Sequence, residues 1–137
     1  ITYHSPRIIV FYQPENKDEL HQKQDPNRPN RWLISEFMEK FMKVLEKGSS
    51  VGVHCIFHFL DPDAYYSMFV EDDLSLFGHR ILLQMTEKDS KTFLGNRDAS
   101  HLVERNMKEE LANNRAIYYD VYSSHYDTIK PYEFYNQ

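Results

Sequence analysis

The sequence is poor in glycine and cysteine and has no long apolar run, and each scarcity excludes a class of site or protein. Its four glycines never form the pattern G-x-x-x-x-G-K-[ST], so residues 1–137 contain no phosphate-binding loop of that type. The one cysteine, Cys55, excludes an intrachain disulfide and is predicted to be a small core residue in a reducing compartment. No apolar run approaches the roughly 20 residues of a membrane-spanning helix, and no signal-peptide pattern opens the chain. We therefore expect a cytoplasmic chain without membrane contact.

Length and charge limit the architecture and the partners. The chain has 137 residues, of which 41% are apolar and 15% aromatic, so one folded domain over residues 1–137 is expected. A formal net charge of −5 gives the chain by itself no electrostatic reason to bind nucleic acid or an anionic membrane. Contact with DNA would require a local patch or a partner domain.

Two nearly continuous apolar runs flank a helical pattern in the first half. Residues 6–13 and 51–60 carry apolar residues at consecutive positions, which is typical of strands covered on both faces. Between them, apolar residues recur at helical spacing over residues 31–47, with Asn30 as the expected N-cap and Gly48 as the C-terminal stop. Strand, helix and strand predict a βαβ crossover and therefore a parallel pair.

The polar, proline-containing stretch 14–30 is predicted to be a long surface loop, with room for one short turn of helix. Between the second and third strands, residues 63–77 are expected to be a short helix or irregular. The elements predicted after them are a third strand over 79–85, a short helix over 87–94, a longer helix over 98–113, and strands over 115–122 and 128–135. Gly95 would end the short helix, Asp98 would cap the longer one, and Pro131 would place the last strand at a sheet edge.

The residue types that carry metal or hydrolytic chemistry form no recognisable motif. His54 and His58 would share one strand face but lie about 13 Å apart, so ordinary strand histidines are favoured over zinc ligands. The adjacent Asp72 and Asp73 are predicted to form a solvated turn rather than a metal site. The tyrosines between positions 118 and 135 are predicted to pack on the core or on a partner rather than to stack bases. No resident metal is expected.

Three segments, "VGVHCIFHFLDP", "GHRILLQMTEKDSKTFLGNRDASHLV" and "NRAIYYD", together resemble the C-terminal half of the RecA-like motor domain of the FtsK/SpoIIIE family. That family includes double-stranded DNA translocases and the ATPases of type VII secretion. The matching positions are Gly52, His54, Arg80, Asp89, Ser90, Leu94, Gly95, Ala99, Leu102 and the strand 116–119. The resemblance implies an α/β fold with a three-layer, partly parallel sheet flanked by helices, as the C-terminal portion of a P-loop NTPase. ATP and magnesium are the cofactors that the family implies.

The departures from the family pattern affect its catalytic positions. By the resemblance, residues 6–13 form the Walker B strand, and its acidic pair is replaced by Tyr12 and Gln13. The sensor strand ends in Phe59 and Leu60 instead of polar residues. Neither pair supplies a carboxylate, so no catalytic residue is expected to be intact and this chain alone is expected to bind no cofactor. The acids that follow in the loop, Glu15, Asp18 and Glu19, could substitute only through a shifted register.

Three functional hypotheses follow. The leading one is a degenerate FtsK/SpoIIIE-like domain that serves subunit packing or scaffolding in a DNA translocase or secretion motor. Such a domain would be cytoplasmic, or it would form the soluble part of a membrane-tethered motor. Its partners would be further copies or a sister ATPase domain, with DNA reached through the assembly. Arg80 would then face a neighbouring subunit, although a structural pairing with Asp89 or Glu87 fits the sequence equally. The alternatives are the C-terminal half of an active ATP-dependent DNA translocase whose Walker A lies upstream, and a free-standing α/β interaction module.

Overall fold

Strands and short helices alternate along the chain in a computed structural model that describes residues 5–21, 23–33, 35–102 and 115–130. The strands in these ranges are β1 (Arg7–Tyr12), β2 (Lys23–Asp25), β3 (Arg28–Leu33), β4 (Val53–His58), β5 (His79–Leu82), β6 (Ala116–Asp120) and β7 (His125–Ile129). The α-helices are α1 (Glu36–Lys47), α2 (Pro62–Tyr66) and α3 (Glu87–Leu94). The structure forms two compact units, an N-terminal unit, Ile1–Leu76, and a C-terminal unit, Phe77–Gln137. That the two belong to one domain stays a prediction.

The N-terminal unit is built on the predicted βαβ arrangement. Strands β1 and β4 pair in parallel, from Arg7 opposite Val53 to Tyr12 opposite His58, and α1 lies between them in the chain. Phe41 of α1 contacts Phe11 edge-on at 5.1 Å and therefore covers one face of the pair. The expectation that both faces are covered is wrong for the described residues, because β1 is exposed at nearly every position.

The prediction of a long loop over residues 14–30 is wrong, because this stretch contains a β-hairpin. Two short 3₁₀ helices, Pro14–Asn16 and Asp18–Leu20, are followed by β2 and β3, which pair as an antiparallel hairpin. Pro26 and Asn27 form its turn, where the Asp25 carboxylate accepts a hydrogen bond from the backbone N–H of Asn27 at 2.9 Å. Proline and asparagine, which we interpreted as loop residues, here close a turn between two strands.

The hairpin also moves the start of α1. Since β3 continues to Leu33, the N-cap is Ser35 rather than Asn30, and its hydroxyl accepts the backbone N–H of Met38 at 3.0 Å. The helix ends at Lys47 as predicted, but Gly48 keeps a right-handed conformation and begins a 3₁₀ helix. The left-handed conformation comes at the end of this 3₁₀ helix, where Gly52 has a φ of 79°.

The N-terminal unit contains an aromatic cluster formed by the end of β4 and the residues that follow it. Phe69, 1% exposed, lies edge-on to Phe57 and Phe59 at 5.9 and 6.1 Å. Helix α2 places Tyr65 in the same cluster, stacked on Phe69 at 5.4 Å. Cys55 is half-buried in β4 rather than a core residue as predicted, and burial raises the pKa of its thiol.

The C-terminal unit contains an antiparallel sheet in the order β5, β6, β7. Leu82 and Ile117 lie opposite each other in the sheet and are both buried. Helix α3 has the predicted bounds, and Gly95 follows it with the left-handed φ of 89°. Strand β7 begins at His125, earlier than the predicted 128–135 strand, because β6 turns back directly through residues 121–124.

Parts of the predicted second half lie outside the described residues. The helix expected over 98–113 is represented by a 3₁₀ helix, Asp98–His101, and its remainder from residue 103 is not described. Pro131 and the end of the predicted last strand are also outside the described ranges. In place of the single three-layer sheet that the resemblance implies, the described residues form three small sheets, one parallel and two antiparallel.

Within the four described ranges, no helix combines the length and the apolar character needed to cross a membrane.

Candidate functional site at the carboxyl end of the parallel strands

The carboxyl ends of β1 and β4 are the first place to look for a site, because ligands of open α/β sheets bind beyond the carboxyl ends of parallel strands. These ends carry the side chains of Tyr12 and His58. Their rings stack with centroids 4.9 Å apart and an interplanar angle of 16°. Tyr12 is 70% exposed, so one face of the pair is open to solvent. The arrangement offers aromatic surface at the positions where the resemblance implies carboxylates.

Gln13, the second Walker B-like position, fixes the chain as it leaves β1. It adopts the left-handed conformation with φ of 46°, which is uncommon for a residue other than glycine. Its backbone N–H donates to the carbonyl of His58 at 2.9 Å and so joins the two strand ends. The chain then enters the 3₁₀ helix Pro14–Asn16. The backbone of Gln13 thus has a structural role at this position.

The two sensor-like residues point to different surroundings. Phe59 is half-buried, stacks on Phe57 at 5.8 Å and meets Tyr65 edge-on at 5.6 Å. Leu60 is 69% exposed. The next residue, Asp61, accepts the backbone N–H of Ala64 at 2.8 Å and caps α2. These side chains provide no oxygen ligand beyond a carboxylate already used as a helix cap.

The donor set at this end does not fit magnesium, which prefers carboxylate and phosphate oxygens in an octahedral arrangement. Tyr12 and Gln13 bring no carboxylate to the strand end. The closest acid after β1 is Glu15, whose Oε2 is buried with no hydrogen-bond partner among the described residues. Across the described ranges, no three His, Cys, Asp or Glu side chains come together as a metal site requires. His54 and His58 are both exposed on β4.

Arg80 is held by its own unit. Its Nε donates to the carbonyl of Phe77 at 3.0 Å and its Nη1 to the carbonyl of Phe93 at 2.7 Å. The guanidinium carbon lies 5.6 Å from the ring centroid of Tyr119. Phe93 belongs to the last turn of α3, where carbonyls are unsatisfied and a positive charge is favourable. Arg80 therefore connects β5, α3 and β6, whatever else it contacts.

The motif that carries the family resemblance organises the turn after α3. Ser90 is fully buried, and its hydroxyl donates to the carbonyl of Asn96 at 2.7 Å while accepting the N–H of Ala99 at 3.1 Å. Asp89 accepts the Thr86 hydroxyl at 2.5 Å and belongs to the N-terminal cap of α3. The matched residues thus make local structural contacts.

The C-terminal sheet carries a polar cluster that no sequence pattern predicts. The hydroxyl of Tyr118 lies 2.9 Å from Nδ1 of His79, and that nitrogen is 3.9 Å from the Asp120 carboxylate. The Ser123 hydroxyl donates to Asp120 at 2.8 Å, and this bond is the main reason why the pKa of Asp120 is lowered. His79 and Asp120 meet only because β5 and β6 pair in one register, which no local sequence signal predicts.

The replacement Arg80→Lys tests the structural role of this arginine. Lysine cannot hold two separated carbonyls with one planar group, so we expect the free energy of unfolding to fall by about 1–3 kcal/mol in urea denaturation. The control is Arg97→Lys, which changes an exposed ion pair with Glu87 and should cost less than about 1 kcal/mol. Unchanged stability combined with a changed molecular mass in light scattering would instead favour the subunit-facing role.

Comparison with known proteins identifies the fold. No protein-family model and no curated sequence matches this chain. Two solved structures of the genome packaging NTPase B204 from Sulfolobus turreted icosahedral virus 2, in complex with ATP-gammaS and with AMPPCP, are similar to it. Their TM-scores are 0.55 and 0.54 at 12% sequence identity. The match covers 92% and 93% of this chain but only 52% and 53% of those chains, so this chain spans about half their length. The chain thus has an α/β fold that resembles part of a P-loop NTPase.

Proposed function

We propose that this chain is a degenerate NTPase-like domain of the FtsK/SpoIIIE type that contributes subunit packing or scaffolding to a cytoplasmic motor moving DNA or polypeptide. The observation that supports this most strongly is the carboxyl end of the parallel pair. There the stacked rings of Tyr12 and His58 occupy the strand ends. Phosphoryl transfer depends on magnesium ions that carboxylates help to hold, and neither ring carries a carboxylate.

The likeness to a packaging NTPase supports the class of assembly. B204 is described as a genome packaging NTPase and was solved with nucleotide analogues, so this fold can serve a DNA-moving machine. This chain matches about half of that fold, and a domain of this size would act together with further copies or with a sister ATPase domain. DNA would be reached through the assembly, since the net charge of −5 disfavours direct binding.

The proposal predicts that residues 1–137 do not bind MgATP with useful affinity. Titration calorimetry with magnesium and ATP should show no binding tighter than about 1 mM, which corresponds to about 4 kcal/mol. The physical reason is the absence of both a phosphate-binding loop in the sequence and a carboxylate at Tyr12 and Gln13. A micromolar dissociation constant for this chain would contradict the proposal.

An active NTPase whose phosphate loop lies outside residues 1–137 is the second candidate, favoured by one observation. Glu15 follows the end of β1 and has a buried carboxylate oxygen without a hydrogen-bond partner in the described part of the chain. An unpaired buried carboxylate oxygen is costly, and a metal-bound water or a cation would relieve that cost.

Glu15→Gln separates the two candidates. The assay measures phosphate release from ATP. The protein assayed is a longer polypeptide in which a segment with a phosphate-binding loop precedes residues 1–137. If Glu15 replaces the Walker B acid, the variant should lose at least about tenfold in rate, or about 1.4 kcal/mol. If the domain is degenerate, the unsubstituted polypeptide already shows no phosphate release above background, and Glu15→Gln changes nothing.

A further inference from the structure

The even-numbered residues of β1 and β4 form an exposed sheet face, which we call the open face. Its members are Ile8, Val10 and Tyr12 of β1 and His54, Ile56 and His58 of β4. The register sets them in three rows, with Val10 opposite Ile56 in the middle. Val10 is 63% exposed and Ile56 is 52% exposed, so the middle row is apolar and accessible. The chain thus presents an apolar row between two rows that contain histidine.

The opposite face of the same strands shows what such a surface normally contacts. There Phe11 and Phe57 stack on each other at 4.7 Å, and Phe41 of α1 packs edge-on against both at 5.1 and 5.9 Å. Parallel sheets occur almost only with helices on both faces. Among the described residues, the parallel pair therefore has a helix on one face and no covering layer on its other, apolar face.

The size of the open face fits one helix. Its three rows span about 13 Å along the strands, and the strands lie about 4.8 Å apart. A helix with its side chains is about 10–12 Å wide, so a single helix covers both strands. The flat area is on the order of 200 Å², whereas a stable pair of proteins buries roughly 800 Å² on each partner. The open face is therefore too small to hold a second copy of the chain by itself.

The coverage of the comparison structures supports one source for such a helix. The match leaves about half of the B204 chain without a counterpart in residues 1–137. We propose that the open face seats one amphipathic α-helix from that unmatched half of the NTPase fold. Its apolar stripe lies on the row of Val10 and Ile56. Its hydrogen-bond acceptors face His54 and His58. Because these histidines lie about 13 Å apart, the two acceptors are about nine residues apart on the helix. The proposal rests on the NTPase-like fold and not on the loss of nucleotide binding.

A synthetic peptide serves as the probe. It carries fluorescein, has about 18 residues, forms one leucine stripe, and bears two glutamates about nine residues apart on the edge of that stripe. Fluorescence anisotropy with the 137-residue chain should show saturable binding. A peptide of the same composition with the leucines scattered around the helix should not bind. Replacing both glutamates by lysine should weaken binding about fivefold, because the acceptors for the histidines are lost.

Variants of the chain locate the binding surface. Val10→Lys places a charge in the middle row and should weaken binding at least about tenfold, since the lysine would lie against the leucine stripe. Val10→Thr keeps the β-branched shape and should weaken it less. Ile81→Lys is the matched control, because Ile81 is also a strand residue, is 66% exposed and lies in the C-terminal unit. It should change the affinity by less than about twofold. Circular dichroism checks that each variant folds.

Several outcomes would overturn the proposal. They are the absence of saturable binding, equal binding of the scattered peptide, and equal losses from Val10→Lys and Ile81→Lys. Sedimentation that shows a dimer dissociated by Val10→Lys would assign the open face to a second copy and would also overturn it. The nucleotide titration is independent of these results, so failure of the helix proposal and failure of the proposed function can be told apart.

Discussion

Phe41→Ala is expected to lower the free energy of unfolding by about 3–4 kcal/mol, the largest effect of any single substitution considered. Phe41 is only 8% exposed and contacts Phe11 and Phe57, one from each strand of the parallel pair. Its truncation opens a cavity at the point where α1 meets both strands. Urea denaturation followed by circular dichroism measures the change.

Phe37→Ala is the matched control on the same helix. Phe37 is 57% exposed and stacks on Phe41 at 6.2 Å, so its loss removes exposed surface and one ring contact. We expect a cost below about 1 kcal/mol. If the two substitutions cost the same, α1 does not pack on the sheet through Phe41.

Ser90→Ala is expected to cost about 2–3 kcal/mol, although it removes a single oxygen. The hydroxyl is fully buried, and its loss leaves the carbonyl of Asn96 and the N–H of Ala99 without this partner. The cost comes from the desolvation of these two backbone groups. The amide of Ala99 should also exchange its hydrogen faster in the variant, as measured by NMR.

Ser100→Ala tests whether burial is the reason. The Ser100 hydroxyl also donates to a carbonyl, that of Arg97 at 2.7 Å, but at an exposed position. Water can replace the lost hydrogen bond there, so a change within about 0.5 kcal/mol is expected. Equal losses from Ser90→Ala and Ser100→Ala would mean that the buried turn contributes nothing specific.

Sequence patterns predict those parts of the fold that depend on local chemistry. The run of apolar residues in β1 and β4, with a helical pattern between them, predicts the parallel pair. Gly95 predicts the end of α3, because the left-handed conformation after a helix favours glycine. The end of α3 is confirmed, and its signal lies next to it in the sequence. The parallel pair joins strands that are distant in the chain, and it is confirmed because a helix between two strands makes the crossover connection that parallel pairing requires.

The errors arise where two readings share the same residue types. Asp, Pro and Asn favour both loops and turns, so Asp25, Pro26 and Asn27 do not distinguish a loop from the β2–β3 hairpin, and the predicted start of α1 is too early. Likewise, consecutive apolar residues in β1 indicate a strand made to be covered on both faces. They do not indicate whether residues 1–137 supply both covering layers.

The candidate site was only partly accessible to prediction for a related reason. Tyr12 and Gln13 could be placed at the end of a strand because the apolar run stops there. The stacking of Tyr12 on His58 depends on the parallel register between distant strands. The contacts of Arg80 depend on the placement of α3 against β5. Both are tertiary facts, and neither has a signal in local periodicity.

The turn between β6 and β7 has a consequence for how the C-terminal unit folds. These strands are joined directly by residues 121–124, where Asp120 accepts the N–H of Tyr122 at 3.0 Å. Strand β5 must instead meet β6 across a long intervening segment, and the entropy lost on closing a loop grows with its length. The β6–β7 hairpin can therefore form first, within microseconds for a typical hairpin, and provide the edge on which β5 completes the sheet.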